Sequence, residues 1–133
     1  MRRSKANPAD ARIDQMLGEA SWLLSHAEAL ADYRRTDEAA LEWLRAASCE
    51  EQVACLLEAA GREREAAIHR ISAASCHEQL AQYPRAVTLL RAALSAQLPQ
   101  DYRATVVRQL TRCLAQAKKR LGQASPGVTA GSK

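Results

Sequence analysis

The sequence predicts an all-α fold, and three observations lead to that prediction. Alanine is the commonest residue, followed by leucine and other strong helix formers such as glutamate, glutamine and arginine. The chain has no phenylalanine and only 4% aromatic residues, which disfavours a β-sandwich or β-barrel core. Hydrophobic residues make up 47% of the 133 positions, which is too many for a disordered chain. This length suits one domain that buries a core of its own.

The first two helices are predicted over residues 10–33 and 36–60. In the first, apolar residues recur at steps of three and four, from Ile13 and Leu17 onward. Thr36 is the predicted N-cap of the second helix, with two acidic residues in the first turn behind it. Gly61 supplies the C-terminal stop, because glycine adopts the left-handed conformation that often ends a helix.

Prolines divide the remaining chain into helices over residues 63–82, 85–97 and 101–121. Pro84 and Pro99 cannot continue the hydrogen-bond ladder of a helix, so each marks a break. Short connections make successive helices antiparallel neighbours. In the fifth helix the predicted inward stripe contains Val106, Val107, Leu110, Leu114, Ala117 and Leu121. The single helical domain therefore covers 10–121, between a flexible basic arm (1–9) and a disordered tail (122–133) rich in small residues.

An internal repeat links the second and third helices. Residues 37–54 (DEAALEWLRAASCEEQVA) align without a gap to residues 64–81 (REAAIHRISAASCHEQLA), and 10 of the 18 positions are identical. A period of 27 residues is typical of helical arrays. Ser48 and Ser75 begin capping-box patterns that favour a break inside each helix. The absence of glycine and proline favours continuous helices that bury two sides, which is the interpretation we prefer.

Several segments resemble tetratricopeptide (TPR) repeats. GREREAAIHRISAA (61–74) and YPRAVTLLRAAL (83–94) resemble the turn and second helix of that family. The similarity consists of small residues at helix crossings and of Tyr83 three positions before Ala86; the small residues are Ala67, Ala74, Ala86 and Ala93. The periods of 27 and then about 20 residues differ from the family's 34. The resemblance implies stacked helical hairpins that present a groove.

Residues 66–121 also resemble the microtubule-interacting and trafficking (MIT) domain, a three-helix module. Its pattern is matched in order by Ala67, Ala74, Glu78, Tyr83, Ala86, Leu90, Ala93 and Leu94, and CLAQAKKRL (113–121) resembles the closing helix. A partner helix in such modules lies between two helices, so the resemblance implies the same binding mode. Residues 49–72 are similar, more weakly, to the TPR-like chaperones of type III secretion needle subunits.

Charge is distributed unevenly along the chain. Residues 10–100 hold 14 acids and 9 bases, whereas residues 101–133 hold 7 bases and one acid. Residues 10–100 therefore carry a net negative charge, and the formal charge of +4 for the whole chain comes from its basic ends. A basic face on the fifth helix favours an alternative function in nucleic-acid binding. That face consists of Arg103, Arg108, Arg112, Lys118, Lys119 and Arg120.

A metal site is a weaker alternative. Thiolates and imidazole suit zinc or copper, and a hairpin turning near residues 61–63 would bring Cys49 and Cys76 to one level, beside His77. Buried cysteines at close helix crossings are more common, so we expect no metal and no other cofactor. No phosphate-binding loop or catalytic triad pattern is present, and we expect no enzymatic activity.

The sequence thus predicts a protein–protein interaction module, an adaptor or a small chaperone, whose groove takes a partner peptide or helix. Trp22 and Trp43 are candidate anchors, although tryptophans also fill cores. Tyr83, Arg85 and Arg91 complete the candidate partner contacts. A homodimer is a further alternative arrangement. No apolar run reaches the length of a membrane span, and no apolar stretch follows the basic N-terminus as a signal peptide would require, so we expect a cytoplasmic protein. Its four cysteines are then expected to be reduced thiols.

Overall fold

The computed structural model describes the backbone of residues 7–131 and the side chains of residues 7–123. That part of the chain forms five α-helices and no strand, which confirms the predicted all-α class. The helices are α1 (Pro8–Asp32), α2 (Thr36–Ala59), α3 (Glu63–Gln79), α4 (Tyr83–Leu94) and α5 (Gln100–Gly131). Residues 1–6 of the predicted arm and residues 132–133 of the predicted tail lie outside the described residues.

The helices form an array in chain order. Extensive contacts join α1 to α2, α2 to α3, α3 to α4 and α4 to α5. Because the connections are short, consecutive helices run antiparallel, as predicted. The middle helices therefore have neighbours on two sides, and α1 and α5 lie at the two ends of the array.

The first three connections share one turn geometry, the Schellman motif. Each has a residue at positive φ after the helix: Arg34 (61°), Gly61 (78°) and Ala81 (57°). After α3, Ala81 N–H donates to the Glu78 carbonyl and Gln82 N–H donates to the His77 carbonyl. The same pair of hydrogen bonds closes α1 and α2, so the terminal carbonyls of all three helices have partners.

These turns correct several predicted boundaries. The third helix ends at Gln79, before the predicted 82, because Ala81 takes the left-handed conformation although it is not glycine. The second helix is preceded by Arg35 as N-cap, and Thr36 is its first helical residue. The fourth helix starts at Tyr83 and ends at Leu94, so Pro84 opens it instead of only breaking its predecessor. The helix assignment of α5 extends to Gly131, beyond the predicted end at residue 121.

Helices α2 and α3 are continuous through the serines at which a break was considered. Ser75 Oγ donates to the Ile71 carbonyl one turn back, and Ser48 Oγ accepts from the Gln52 side chain. Neither serine caps a new helix. The preferred interpretation, continuous helices that bury two sides, is therefore confirmed.

The core consists largely of alanines and short aliphatic side chains in three clusters. The N-terminal cluster joins α1, α2 and α3 around Ile13, Val53 and Leu57. The central cluster, at the same three helices, contains Cys49 and Cys76. The C-terminal cluster joins α3, α4 and α5 and includes Ile71, Ala74, Leu90, Val106 and Cys113. Alanine at so many crossings lets the helix axes approach closely.

The predicted inward stripe of α5 is too wide. Val106 is buried, but Val107, Leu114 and Leu121 are exposed. The last helix of an open array has a neighbour on one side, so half of its apolar residues lack cover. Among the described residues, no helix combines the length and apolar character that crossing a membrane needs.

The turns generate a test of the fold. Gly61→Ala is expected to lower the free energy of unfolding by about 1 kcal/mol, because alanine is strained at a φ of 78°. Ala81→Gly is expected to raise it by a similar amount, because that strain is already present at 57°. Urea unfolding of both variants measures the two effects, and shifts in the same direction would contradict the shared turn geometry.

Candidate functional site: a groove along α2

An open groove of about 620 Å³ lies along α2. The α2 side chains on its floor follow helical spacing over about three turns, from Leu44 to Leu56. One side chain from each of three other helices completes the wall. The lining residues are Arg12, Leu44, Ala47, Ser48, Glu51, Gln52, Cys55, Leu56, His77 and Arg85.

Exposed aliphatic side chains lie on the floor of the groove and next to it on α2. Leu44 is 47% exposed, and Leu41, one turn earlier on α2, is 52% exposed. Leu56 is partly buried and packs on the N-terminal cluster. Large apolar side chains lying side by side on a surface are typical of binding sites.

Glu51 organises the polar side of the groove. Its carboxylate accepts a hydrogen bond from His77 Nε2 of α3 at 2.9 Å, and it forms an ion pair with Arg85 of α4. His77 Nδ1 is 2.7 Å from the side-chain oxygen of Gln82 in the turn after α3. One carboxylate on α2 thus fixes the positions of groups from two other helices.

All three histidines of the chain pair with glutamates of α2. His26 Nδ1 of α1 lies 2.9 Å from Glu42, and His69 Nδ1 of α3 lies 2.9 Å from Glu50. Both glutamates are buried, so they need these partners to offset the loss of water. The hydrogen bond from His26 is the main reason that the pKa of Glu42 is lowered from its ordinary value.

Cys55 is the exposed cysteine of the four, and it lies in the groove. The other three are buried in the clusters. Burial raises the pKa of Cys76 to about 12 and that of Cys113 to about 11. These thiols are therefore protonated at neutral pH and shielded from reagents.

The five predicted partner contacts are dispersed over the molecule, and of these Arg85 lines the groove. Trp22 is 61% exposed on α1 and stacks on His26 with ring centroids 4.7 Å apart. Trp43 is half-buried and lines a smaller cavity of about 250 Å³ beside Cys76. Tyr83 packs on the C-terminal cluster, and Arg91 is exposed on α4.

The basic residues of α5 are divided between internal contacts and solvent. Arg112 donates two hydrogen bonds to Glu78, Arg120 lies 5.5 Å above the Tyr83 ring, and Arg103 reaches the Ala96 carbonyl. Lys118 and Lys119 are exposed, and Arg108 contacts its helical neighbour Thr105. Three of the six cations therefore serve contacts between structural elements.

Other groups of the same chain already contact the candidate metal ligands. Cys49 and Cys76 do share the central cluster, but the Cys49 thiol donates to the Met16 carbonyl at 3.2 Å. Both ring nitrogens of His77 face the side chains of Gln82 and Glu51. Within the described residues, no group of three or more potential ligands converges on a point that a metal could occupy.

Sequence reasoning missed most of the groove. The candidate contacts that the sequence singles out do not include Leu44, Arg12, Gln52 or Cys55. A signal was present: α2 carries apolar residues on two opposite sides, and an array has only enough neighbours to cover part of them. Which side of α2 stays open depends on the lengths of the neighbouring helices. The turn at Ala81, which is not glycine, sets where α3 ends and α4 begins.

Comparisons of the chain with protein-family models, with curated proteins and with solved structures found no match.

The burial of the cysteines predicts a selective reaction. Iodoacetamide at pH 8 is expected to modify the native protein once, at Cys55, and the variant Cys55→Ser is expected to resist modification until it is unfolded. Intact-mass spectrometry counts the adducts, and peptide mapping locates them. Modification of Cys76 or Cys113 as fast as Cys55 would contradict the packing of the central and C-terminal clusters.

The ion pair between α3 and α5 predicts a pH dependence. The hydrogen bonds from Arg112 are the main cause that lowers the pKa of Glu78 from its ordinary 4.5. A carboxylate with a lowered folded-state pKa stabilises the fold above the unfolded-state pKa, and that contribution is lost as the pH falls below it. Glu78→Gln is therefore expected to cost about 1 kcal/mol at pH 7, and this cost is expected to shrink as the pH falls below 4.5 towards the lowered folded-state pKa.

Urea unfolding of the wild type and Glu78→Gln at pH 7, 4 and 3 measures this difference. The two stabilities are expected to converge as the pH falls. A difference of constant size over the whole range would show that the carboxylate charge of Glu78 contributes nothing to stability.

Proposed function

We propose that this protein is a protein–protein interaction module, an adaptor or a small chaperone, that binds a peptide or helix of a partner in the α2 groove. The observation that carries the proposal is the open groove of about 620 Å³ with exposed Leu44 on its floor. Covering the exposed half of such a leucine in an interface contributes about 1 kcal/mol. We propose binding without catalysis, and the residues of the groove form no catalytic constellation that we recognise.

The groove suits binding of a helix more than binding of a small molecule. It is open along its length, and its floor is one continuous helix with apolar side chains at helical spacing. A partner helix places side chains at i, i+3 and i+4 against such a surface. The charged groups of Arg12, Glu51 and Arg85 border the apolar floor, where they supply orientation more than affinity.

We further propose kinship with TPR-like or MIT-like helical hairpins. The alanines that carry the sequence resemblance, Ala67, Ala74, Ala86 and Ala93, are all buried at helix crossings. The four cysteines are free thiols, which supports the cytoplasm as the place of action within this proposal.

Nucleic-acid binding by α5 remains the alternative proposal, and the internal contacts of Arg103, Arg112 and Arg120 make it weaker. A partner bound through nucleic acid disappears on nuclease treatment, whereas a partner bound in the groove persists. The two functions are thus separable in one experiment.

The test uses three tagged forms of the chain: wild type, Leu44→Asp and the matched control Leu114→Asp. Both leucines are exposed, so both variants should keep the helical circular-dichroism spectrum of the wild type. After nuclease treatment, the wild type and Leu114→Asp are expected to capture the same proteins from a lysate, and Leu44→Asp is expected to lose them. Capture that is equal for all three forms, or abolished by nuclease, would argue against the groove.

A further inference from the structure

The 27-residue repeat maps the floor of the groove onto a covered surface elsewhere in the molecule. Advancing by 27 residues turns the groove positions of α2 between residues 44 and 51 into positions on α3 of the same chemistry. The pairs are Leu44 and Ile71, Ala47 and Ala74, Ser48 and Ser75, and Glu51 and Glu78. Helices α2 and α3 therefore each present a surface of nearly the same composition, so the residues that cover the two surfaces can be compared directly.

On α3 this surface is covered by the first turns of α5. The Gln109 amide of α5 donates to Ser75 Oγ at 3.0 Å and to Glu78 Oε1 at 3.2 Å. Val106, one turn before Gln109, is 1% exposed and shares the C-terminal cluster with Ile71 and Ala74. An aliphatic side chain followed three positions later by an amide thus matches this surface.

The register of the cover is fixed by two equivalent ion pairs. Glu78 pairs with Arg112, and Glu51 pairs with Arg85; in both pairs the arginine follows 34 residues after the glutamate. Residues 75 and 78 meet residues 109 and 112 in the same order, so α5 runs parallel to α3. Because Arg85 pairs with Glu51 at the same separation of 34 residues, α4 runs parallel to α2 in the same alignment.

Helix α4 begins too late to cover the N-terminal half of α2. In this register Tyr83, the first residue of α4, lies opposite Cys49, whereas Gln100, the first residue of α5, lies opposite Ala66. The consequence is visible at equivalent positions, since Leu44 is 47% exposed and Ile71 only 7%. The α2 surface therefore lacks a cover equivalent to the one that Val106 and Gln109 of α5 give to α3.

We propose that this uncovered surface binds a helix of another protein, parallel to α2, in the place that residues 100–109 take against α3. The partner helix puts an aliphatic side chain on Leu44 and Ala47 and, three residues later, a side-chain amide on Ser48 and Glu51. The inference rests on the proposed function, and it adds the orientation and the recognition pattern of the partner.

Two observations define the occupant more closely. The corresponding segment of a second copy is already in use, because Val106 and Gln109 are 1% and 9% exposed within their own chain. Glu51 already faces His77 and Arg85, so a further cation from the partner is not needed. An amide is a sufficient partner, as Gln109 is for Glu78, which also pairs with Arg112.

The probe is a stapled helical peptide with the sequence of residues 100–109, QDYRATVVRQ, labelled for fluorescence anisotropy. It is titrated with the full chain, with Leu44→Asp and with the control Leu114→Asp. Binding is expected for the full chain and the control, with a loss of about tenfold or more in Leu44→Asp. In the peptide, aspartate at the Val106 position should weaken binding about tenfold, and alanine at the Gln109 position about fivefold.

Orientation is read from Cys55, which lies on α2 just past Glu51. A chloroacetamide at the C-terminus of the peptide is expected to crosslink to Cys55, and the same group at the N-terminus is not. Equal crosslinking from both ends of the peptide would overturn the proposal. So would an affinity that is unchanged by Leu44→Asp in the protein or by aspartate at the Val106 position of the peptide.

Two further outcomes separate this inference from the proposed function. In the first, capture of lysate partners depends on Leu44 while peptide binding is insensitive to the substitutions in the peptide and to the end that carries the crosslinker. The groove then binds proteins by another pattern, so the inference is wrong but the proposed function stands. If the unliganded chain dimerises in sedimentation and its Cys55 becomes protected as the concentration rises, a second copy is the occupant and the inference is overturned.

Discussion

Close approach of helices at alanine is the constraint on which the rest of this structure depends. The crossings at Ala46, Ala47, Ala73 and Ala74 are buried, and side chains that small leave little distance between the helix axes. Close axes leave no space for large aromatic residues, and the chain has few of them. They also bring polar groups of neighbouring helices within hydrogen-bonding distance, so that each interface contains apolar contacts and specific pairs together.

Helix α2 illustrates that combination. Its glutamates at positions 42, 50 and 51 each pair with one histidine from α1 or α3, and Glu51 reaches α4 as well. Hydrogen-bonded pairs of this kind add modest stability, but a wrong helix register would leave buried carboxylates without partners, at a cost of about 1–3 kcal/mol each. The polar pairs therefore select one alignment among the many that interchangeable alanines would allow. The same pairs hold the walls of the groove in fixed positions.

Much of the architecture follows from the sequence, because its causes are local. Helix formers, the glycine at position 61 and the prolines at positions 84 and 99 predict five antiparallel helices, and the repeat predicts an array. The predicted end of α3 was wrong because Ala81 adopts positive φ without being glycine, which local sequence does not reveal. The groove was missed for a related reason. Whether Leu44 is interior or surface depends on where another helix begins, and that distance is a property of the assembled chain.

One turn has a consequence for the way such chains vary in length. The C-cap of α2 is Ala60, and the position that the 27-residue repeat makes equivalent to it is Val87. Helix α3, however, already ends at its C-cap Leu80. This seven-residue difference corresponds to about two helical turns, so it preserves which face of the helix points inward. Insertion or deletion of a whole number of turns at this position would shift the start of α4 along α2 while keeping every core side chain oriented as before. The accessible length of α2 is thus adjustable by indels of three to four or seven residues, independently of the residues that make up the core.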